Sequence, residues 1–230
     1  DFLRDFIGKP YWTEERIAVE KQNLIDQIKS RINNKRQYAL YRLSQEMCKG
    51  EAYGIDEYGK PEIIENITSE QLQKQYDDLM RHATVLVSCI GRIPENKIMD
   101  FTESLFNFER EAVGGNTLFV EEAEDVTETV EELDVNQSIL AMGYRIGSKG
   151  YNDHMFSYLL LNSIFGGSPN SFLFMNVREK LSLCYFCSSV TERMKGIMLV
   201  YAGISAENKQ KAFDEIEKQR SRLQAGDFTD

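Results

Sequence analysis

The chain has 230 residues, 42% of them hydrophobic and 11% aromatic, and a formal net charge of −10. That length can hold one large domain or two smaller ones around a real core, and the acidic balance excludes a protein that meets nucleic acid through a basic stripe. No apolar stretch approaches the roughly 18–20 residues of a membrane span, and no signal peptide is recognisable.

Residues 13–49 are rich in Glu, Lys, Gln, Arg and Leu and are expected to be helical. Thr13 is placed to cap the run, Glu14 and Glu15 complement the helix dipole, and Gly50 ends it. The basic groups Lys29, Arg31, Lys35 and Arg36, like Lys218, Arg220 and Arg222 later, are interleaved with acids and read as solvated helix faces. A turn region rich in Gly and Tyr follows, from Glu51 to Pro61. Thr68 and Gln71 have the spacing of a capping box and open a second helix, with Ile67 and Leu72 at the staple positions. The β-prone run from Ala83 to Ile90 reads as a strand ended by Gly91, and Pro94 leads into a helix to about Phe108.

From about Glu109 to Asp134 the composition turns to Gly114-Gly115 and a dense set of acids, which reads as linker and extended chain. The expected domains are therefore 1–110 and 135–230, joined by an acidic linker at 111–134. Leu140, Met142, Tyr144 and Ile146 alternate as one face of a half-buried strand should. Asp153 begins a helix ended by Gly166-Gly167, and a second helical segment runs from about Asn170 to Lys180. Strands are expected from about Tyr185 and over Gly196–Ala202. An amphipathic helix over Glu207–Ala225 carries Phe213, Ile216, Arg220 and Leu223 at helical spacing. Helices mixed with strands in both halves give an α+β class, with helices covering an antiparallel or mixed sheet. The lack of an initiator Met at Asp1, and a helix-cap pattern at Asp227-Phe-Thr-Asp230, read as a piece cut at both ends.

Cys184-Tyr-Phe-Cys187 has C-x-x-C spacing, but it opens a β-prone run rather than a helix, and i and i+3 face opposite sides of a regular strand. No second pair completes a zinc site. The four cysteines are read as ordinary reduced thiols, which points to the cytoplasm.

Two stretches resemble a known family. Ser171-Phe-Leu-Phe-Met-Asn-Val-Arg-Glu-Lys-Leu-Ser-Leu-Cys-Tyr185, preceded by Phe165-Gly-Gly-Ser168, is similar to the second domain of pitrilysin, insulysin and mitochondrial processing peptidase relatives. Val19-Glu-Lys-Gln-Asn-Leu-Ile-Asp-Gln-Ile28, with Glu51-Ala-Tyr-Gly54 and Ile67-Thr-Ser-Glu-Gln-Leu72, is similar to the late part of the first domain. The resemblance implies a clamshell of two homologous sheet-plus-helix domains, both incomplete here. It also implies a zinc site in the first domain of active members, formed by His-x-x-Glu-His and a distant Glu.

Arg178 and Tyr185 match the family's Arg/Tyr pair at a spacing of seven. Both are hydrogen-bond donors, and donors aimed at a scissile carbonyl stabilise the oxyanion as water attacks. From residue types alone a second role stands open, in which Arg178 pairs with a carboxylate and Tyr185 is a buried strand residue. Gly166, Gly167 and Ser168 match the loop that approaches substrate in the family, although a Gly also ends helices routinely.

No His-x-x-Glu-His occurs, and His82 and His154 lack suitable neighbours. Glu20 matches the Glu that supports the family's metal site, and the ligand position seven residues on falls on Gln27, a poor zinc ligand. Asp26 is one residue away, about 100° around the helix. The resemblance with these departures implies a member that binds no metal itself. Such a protomer would partner a paralogous zinc-bearing subunit or a second copy and bind extended peptides. Two other readings are an active zinc endopeptidase and a non-enzymatic assembly subunit.

Overall fold

In a computed structural model the protein is described at residues 2–8, 10–106, 109–111, 113, 120–123, 125–134, 137–147 and 155–227. The chain divides into two compact units, one of residues 1–29 with 58–116 and one of residues 30–57 with 117–230. Packing therefore cuts the chain at different places from the homologous-domain division expected at 111–134. The two divisions concern different properties.

The first unit is helical among the described residues: α1 (Phe2–Gly8), α2 (Glu14–Ser30), α4 (Pro61–Glu65), α5 (Ser69–His82) and α6 (Glu95–Leu105). Thr13 caps α2 through its hydroxyl, 3.3 Å from the Arg16 amide. Thr68 and Gln71 close the expected capping box reciprocally, at 3.2 and 2.9 Å. The buried apolar residues of this unit are Ile17, Ile25 and Ile64. Side-chain hydrogen bonds complete its packing, among them Trp12 Nε1 to Gln73 (2.8 Å) and Ser69 Oγ to Glu14 (2.7 Å). Residues 83–90 form no strand, contrary to the sequence expectation, and Leu86 and Ile90 are 93% and 99% exposed. A β-prone run is stabilised by the neighbour that satisfies its amides and covers its side chains, and none pairs with it among the described residues.

The second unit is built on a three-stranded antiparallel sheet of β1 (Ser138–Arg145), β2 (Cys184–Glu192) and β3 (Ile197–Ile204), in the order β1-β3-β2. Central β3 alternates strictly. Met198, Val200, Ala202 and Ile204 enter a core cluster with Met142, Phe165, Leu173, Val177, Cys184, Cys187, Ala212 and Ile216. Ile197 and Leu199 face the other way, against Cys48 and against Leu40, Leu43 and Met47 of α3 (Lys35–Met47). Both faces of β3 are thus covered, and full burial of each such side chain is worth about 1.5–3 kcal/mol. Leu140, Tyr144 and Ile146 pack on the first cluster with Met142, as their alternation requires.

The expected single helix over 13–49 is broken: a 3-10 turn at Arg31–Asn33 separates α2 from α3, and Asn34 caps α3 by accepting from the Gln37 amide at 3.2 Å. The last elements are α7 (Met155–Asn162), a π-helical turn Ser163–Gly167, a π-helical segment Leu173–Lys180 and α8 (Lys209–Gln224). α8 buries Ala212, Ile216 and Gln219 at helical spacing, while Phe213, expected on that stripe, is partly exposed. Asp153 and residues 228–230, read as helix starts, lie outside the described residues, as does Gly114-Gly115. The described part of the acidic stretch has no helix or strand. Its Glu131 accepts hydrogen bonds from Tyr38 and Arg42, and its Glu128 accepts one from Lys209.

No helix among the described residues is long and apolar enough to cross a membrane.

Candidate functional site

Arg178 and Tyr185 stand on either side of one tight connection in the second unit. Arg178 is in the last turn of the π-helical segment, and two backbone hydrogen bonds fold the exit back on it. Ser182 N donates to Arg178 O (3.0 Å), and Leu183 N donates to Val177 O (3.1 Å). Ser182 takes the left-handed conformation, φ 51°, which non-glycine residues adopt at a cost. The chain then enters β2 at Cys184.

β2 is irregular where it matters. Cys184 pairs with Ile204 and Phe186 with Gly203, so Tyr185 is an extra residue in the strand, a β-bulge. Its side chain is 67% exposed, which removes the reading of Tyr185 as a buried strand residue. The Arg178 guanidinium lies 4.7 Å above the Phe174 ring, one helical turn back, and 3.5 Å from the Glu179 carboxylate. Both members of that ion pair are well exposed, so it contributes little to stability. Two donor side chains thus flank one turn at the open end of the sheet.

The bulge also corrects the expectation for Cys184 and Cys187. The extra residue shifts the alternation by one, so both thiols point into the same core cluster instead of to opposite faces. Their hydrogen bond lowers the pKa of Cys184, opposed by burial and assisted by the positive charge of Arg178. The same hydrogen bond, together with burial, pushes Cys187 up.

Gly166 and Gly167 owe their identity to space rather than to φ, since neither is left-handed. A Cβ on Gly166 would stand 2.7 Å from the backbone nitrogen of Ser189 and 2.7 Å from Leu173 Cδ1. A Cβ on Gly167 would stand 2.6 Å from the Asn162 amide nitrogen and 3.0 Å from its backbone oxygen. Gly166 O accepts from Ser188 Oγ (2.8 Å), which fastens the turn to β2. Ser168 Oγ donates to Ser163 O at 3.0 Å and closes the same turn.

In the first unit, Glu20, Asp26 and Gln27 of α2 are exposed, and Asp26 accepts from Gln22 at 2.9 Å. Among the described residues no group of three or more His, Cys, Asp or Glu is placed to hold a metal ion. A neutral amide at 27 is a poor zinc ligand. His82 is 3.0 Å from Asp78 on α5; His154 lies outside the described residues.

One buried cluster has no signal in the sequence. Glu51, 3% exposed, accepts from Arg145 Nη2 (2.6 Å), from Lys195 Nζ and from the Val120 amide (2.9 Å). Burial alone would raise its carboxyl, but the Lys195 and Arg145 hydrogen bonds outweigh that and hold it at about 2. Arg145 also donates to Met47 O and Val120 O, both at 2.5 Å. These partners belong to the second unit, and the cluster works as a brace. The partners of Glu51 lie 69, 94 and 144 residues away, beyond the reach of any local pattern.

A family model described as Peptidase M16 inactive domain matches residues 66–230. The chain is 32% identical over 216 residues to the Bacillus subtilis (strain 168) protein named "Probable inactive metalloprotease YmfF", covering 93% of the chain and 50% of that protein. It is 24% identical over 236 residues to an "Uncharacterized zinc protease" of Rickettsia felis, covering 97% of the chain and 54% of that protein. Among solved structures, a conserved protein from Enterococcus faecalis V583 has a TM-score of 0.91 at 26% identity, over 100% of this chain and 56% of that one. A peptidase M16 inactive domain from Pseudomonas fluorescens has a TM-score of 0.80 at 18% identity, over 98% and 55%, a likeness of fold. The chain spans about half the length of the curated relatives it matches.

Proposed function

The chain belongs to the M16 peptidase family, the pitrilysin or insulinase type that its motifs resemble, and we propose that it forms part of a non-catalytic protomer. The protomer binds extended peptides and partners a zinc-bearing paralogue or a second copy. Its two domains, divided at the acidic stretch 111–134, are the homologous halves of a clamshell, and its setting is cytoplasmic.

The observation that carries this reading is a contrast within the chain. Gln27, a poor zinc ligand, stands at the ligand position on an exposed helix face, while Arg178 and Tyr185 present donors at the surface. In such a protomer the guanidinium and phenol hydrogen-bond a peptide carbonyl oxygen, and on a partner's substrate they stabilise the oxyanion as it develops. The turn Gly166–Ser168 lines the peptide path. The relative named an inactive metalloprotease supports the loss of catalysis.

Peptide hydrolysis by the full-length protein, measured with added zinc and with or without its paralogue, tests the proposal. Activity is expected only with the paralogue. Robust zinc-dependent cleavage by the lone protein overturns it. Such an outcome would establish instead an active zinc endopeptidase, a reading favoured by the Rickettsia felis relative's name. Arg178→Ala and Tyr185→Phe are expected to lower the activity of the pair without dissociating it. Unchanged activity, with assembly lost when the protein is removed, would mark a scaffold subunit.

A further inference from the structure

Cys184 and Cys187 are a pair of free thiols, among the described residues, that the proposed function leaves unused. The bulge at Tyr185 sets Cys184 opposite Ile204 and Cys187 opposite Ala202, positions that alternate onto a single face of β3. Both thiols belong to one buried core cluster, and Arg178 lies in the turn that precedes Cys184. Cys184, 9% exposed, is the first residue of β2 and precedes the exposed Tyr185, and Cys187 is 4% exposed. Two thiols at neighbouring positions of one strand face, the outer one at the strand's start, have the arrangement of an attacking and a resolving cysteine.

We propose that Cys184 and Cys187 are a hydroperoxide-responsive dithiol whose closure to a disulfide displaces Tyr185. The effect on peptide binding rests on the reading of Tyr185 given above; the thiol chemistry does not.

The Cys184 thiolate attacks the O–O bond of the hydroperoxide. One oxygen joins sulfur as a sulfenic acid, and the other leaves with a proton as water or an alcohol. The Cys187 sulfur then attacks Cys184 Sγ, the S–S bond forms, the S–O bond breaks, and the hydroxyl departs as water with the Cys187 proton. Two thiols lose two electrons, and the hydroperoxide gains them. Closure brings the two sulfurs to about 2.05 Å. The bulge is where the strand yields, because its extra residue has no place in the ladder. That residue is Tyr185.

The test treats the full-length protein with hydrogen peroxide and follows intact mass, a peptide map and the 19F spectrum of 3-fluorotyrosine-labelled protein, with Tyr185→Phe assigning the resonance. The expected result is loss of two hydrogens within 184–187, reversed by dithiothreitol. It is absent in Cys184→Ser and Cys187→Ser and retained in Cys48→Ala. In Cys187→Ser, Cys184 is trapped by dimedone as the sulfenic acid. The Tyr185 resonance shifts on oxidation and returns on reduction. Wild-type protein with no disulfide at 184–187, or with Cys184 passing directly to sulfinic acid, overturns the dithiol even if the serine variants fail to fold. A disulfide that leaves the Tyr185 resonance unmoved overturns the displacement. Peptide affinity is expected to fall severalfold on oxidation. A reduced protein that binds no peptide refutes the peptide-binding reading and leaves the mass and 19F results to decide the dithiol.

Discussion

Residues 83–90 and β3 are close in composition and far apart in circumstance. Both are short apolar runs rich in Val, Ile and Leu. β3 is paired along both edges, with β1 and with β2, and is covered on both faces. The run 83–90 has no strand partner among the described residues and exposes Val85, Leu86, Val87 and Ile90. Strand propensity measures how well a side chain fits a pleated, half-buried surface, and the partner supplies that surface. The second unit holds its partners within its own residues, and its core follows. The first unit rests on caps, side-chain hydrogen bonds and three buried isoleucines.

Removing the brace of the second unit should have the largest effect. Glu51→Ala leaves Arg145 and Lys195 buried without their anion and is expected to cost about 3–5 kcal/mol in urea unfolding. A cost under 1 kcal/mol would show that the cluster braces nothing. Glu51 also predicts an acid limb. Its carboxyl is held at about 2 against an ordinary 4.5, so its stabilisation is complete above about 4.5 and is lost as pH falls toward 2. Glu51→Gln should flatten that limb.

The strand comparison is tested directly by two alanines. Ile197→Ala in β3 should cost about 2–5 kcal/mol, and Ile90→Ala within about 0.5 kcal/mol in this chain. Equal costs would break the comparison. A cost at Ile90 that appears only in the full-length protein would sharpen it, by showing that the run is covered there. Gly166→Ala forces a methyl against the backbone of β2 and should cost about 1–3 kcal/mol. The smallest effect belongs to the first unit, where Thr68→Ala removes one half of the capping box for about 1 kcal/mol.

The features legible in the sequence were those whose causes are local. The Thr13 and Thr68 caps were readable because a cap and its amide are three residues apart. The alternation of Leu140, Met142, Tyr144 and Ile146 gave the core face of β1, and the motif around 165–185 gave the family. The break at Asn34 escaped because helix formers dominate residues 13–49, although Ser30, Asn33 and Asn34 at the break are cap and turn formers.

By itself, then, the sequence determined the caps at Thr13 and Thr68, the core face of β1, the family and the amide at Gln27. Tertiary structure decided which run became a strand, since a ladder needs a second strand. It also decided that Cys184 and Cys187 share a face, since a one-residue bulge at Tyr185 reverses the alternation the spacing implies. And it decided that Glu51 is a buried anion, because its stabilising cations arrive from residues 145 and 195 only when the sheet has formed.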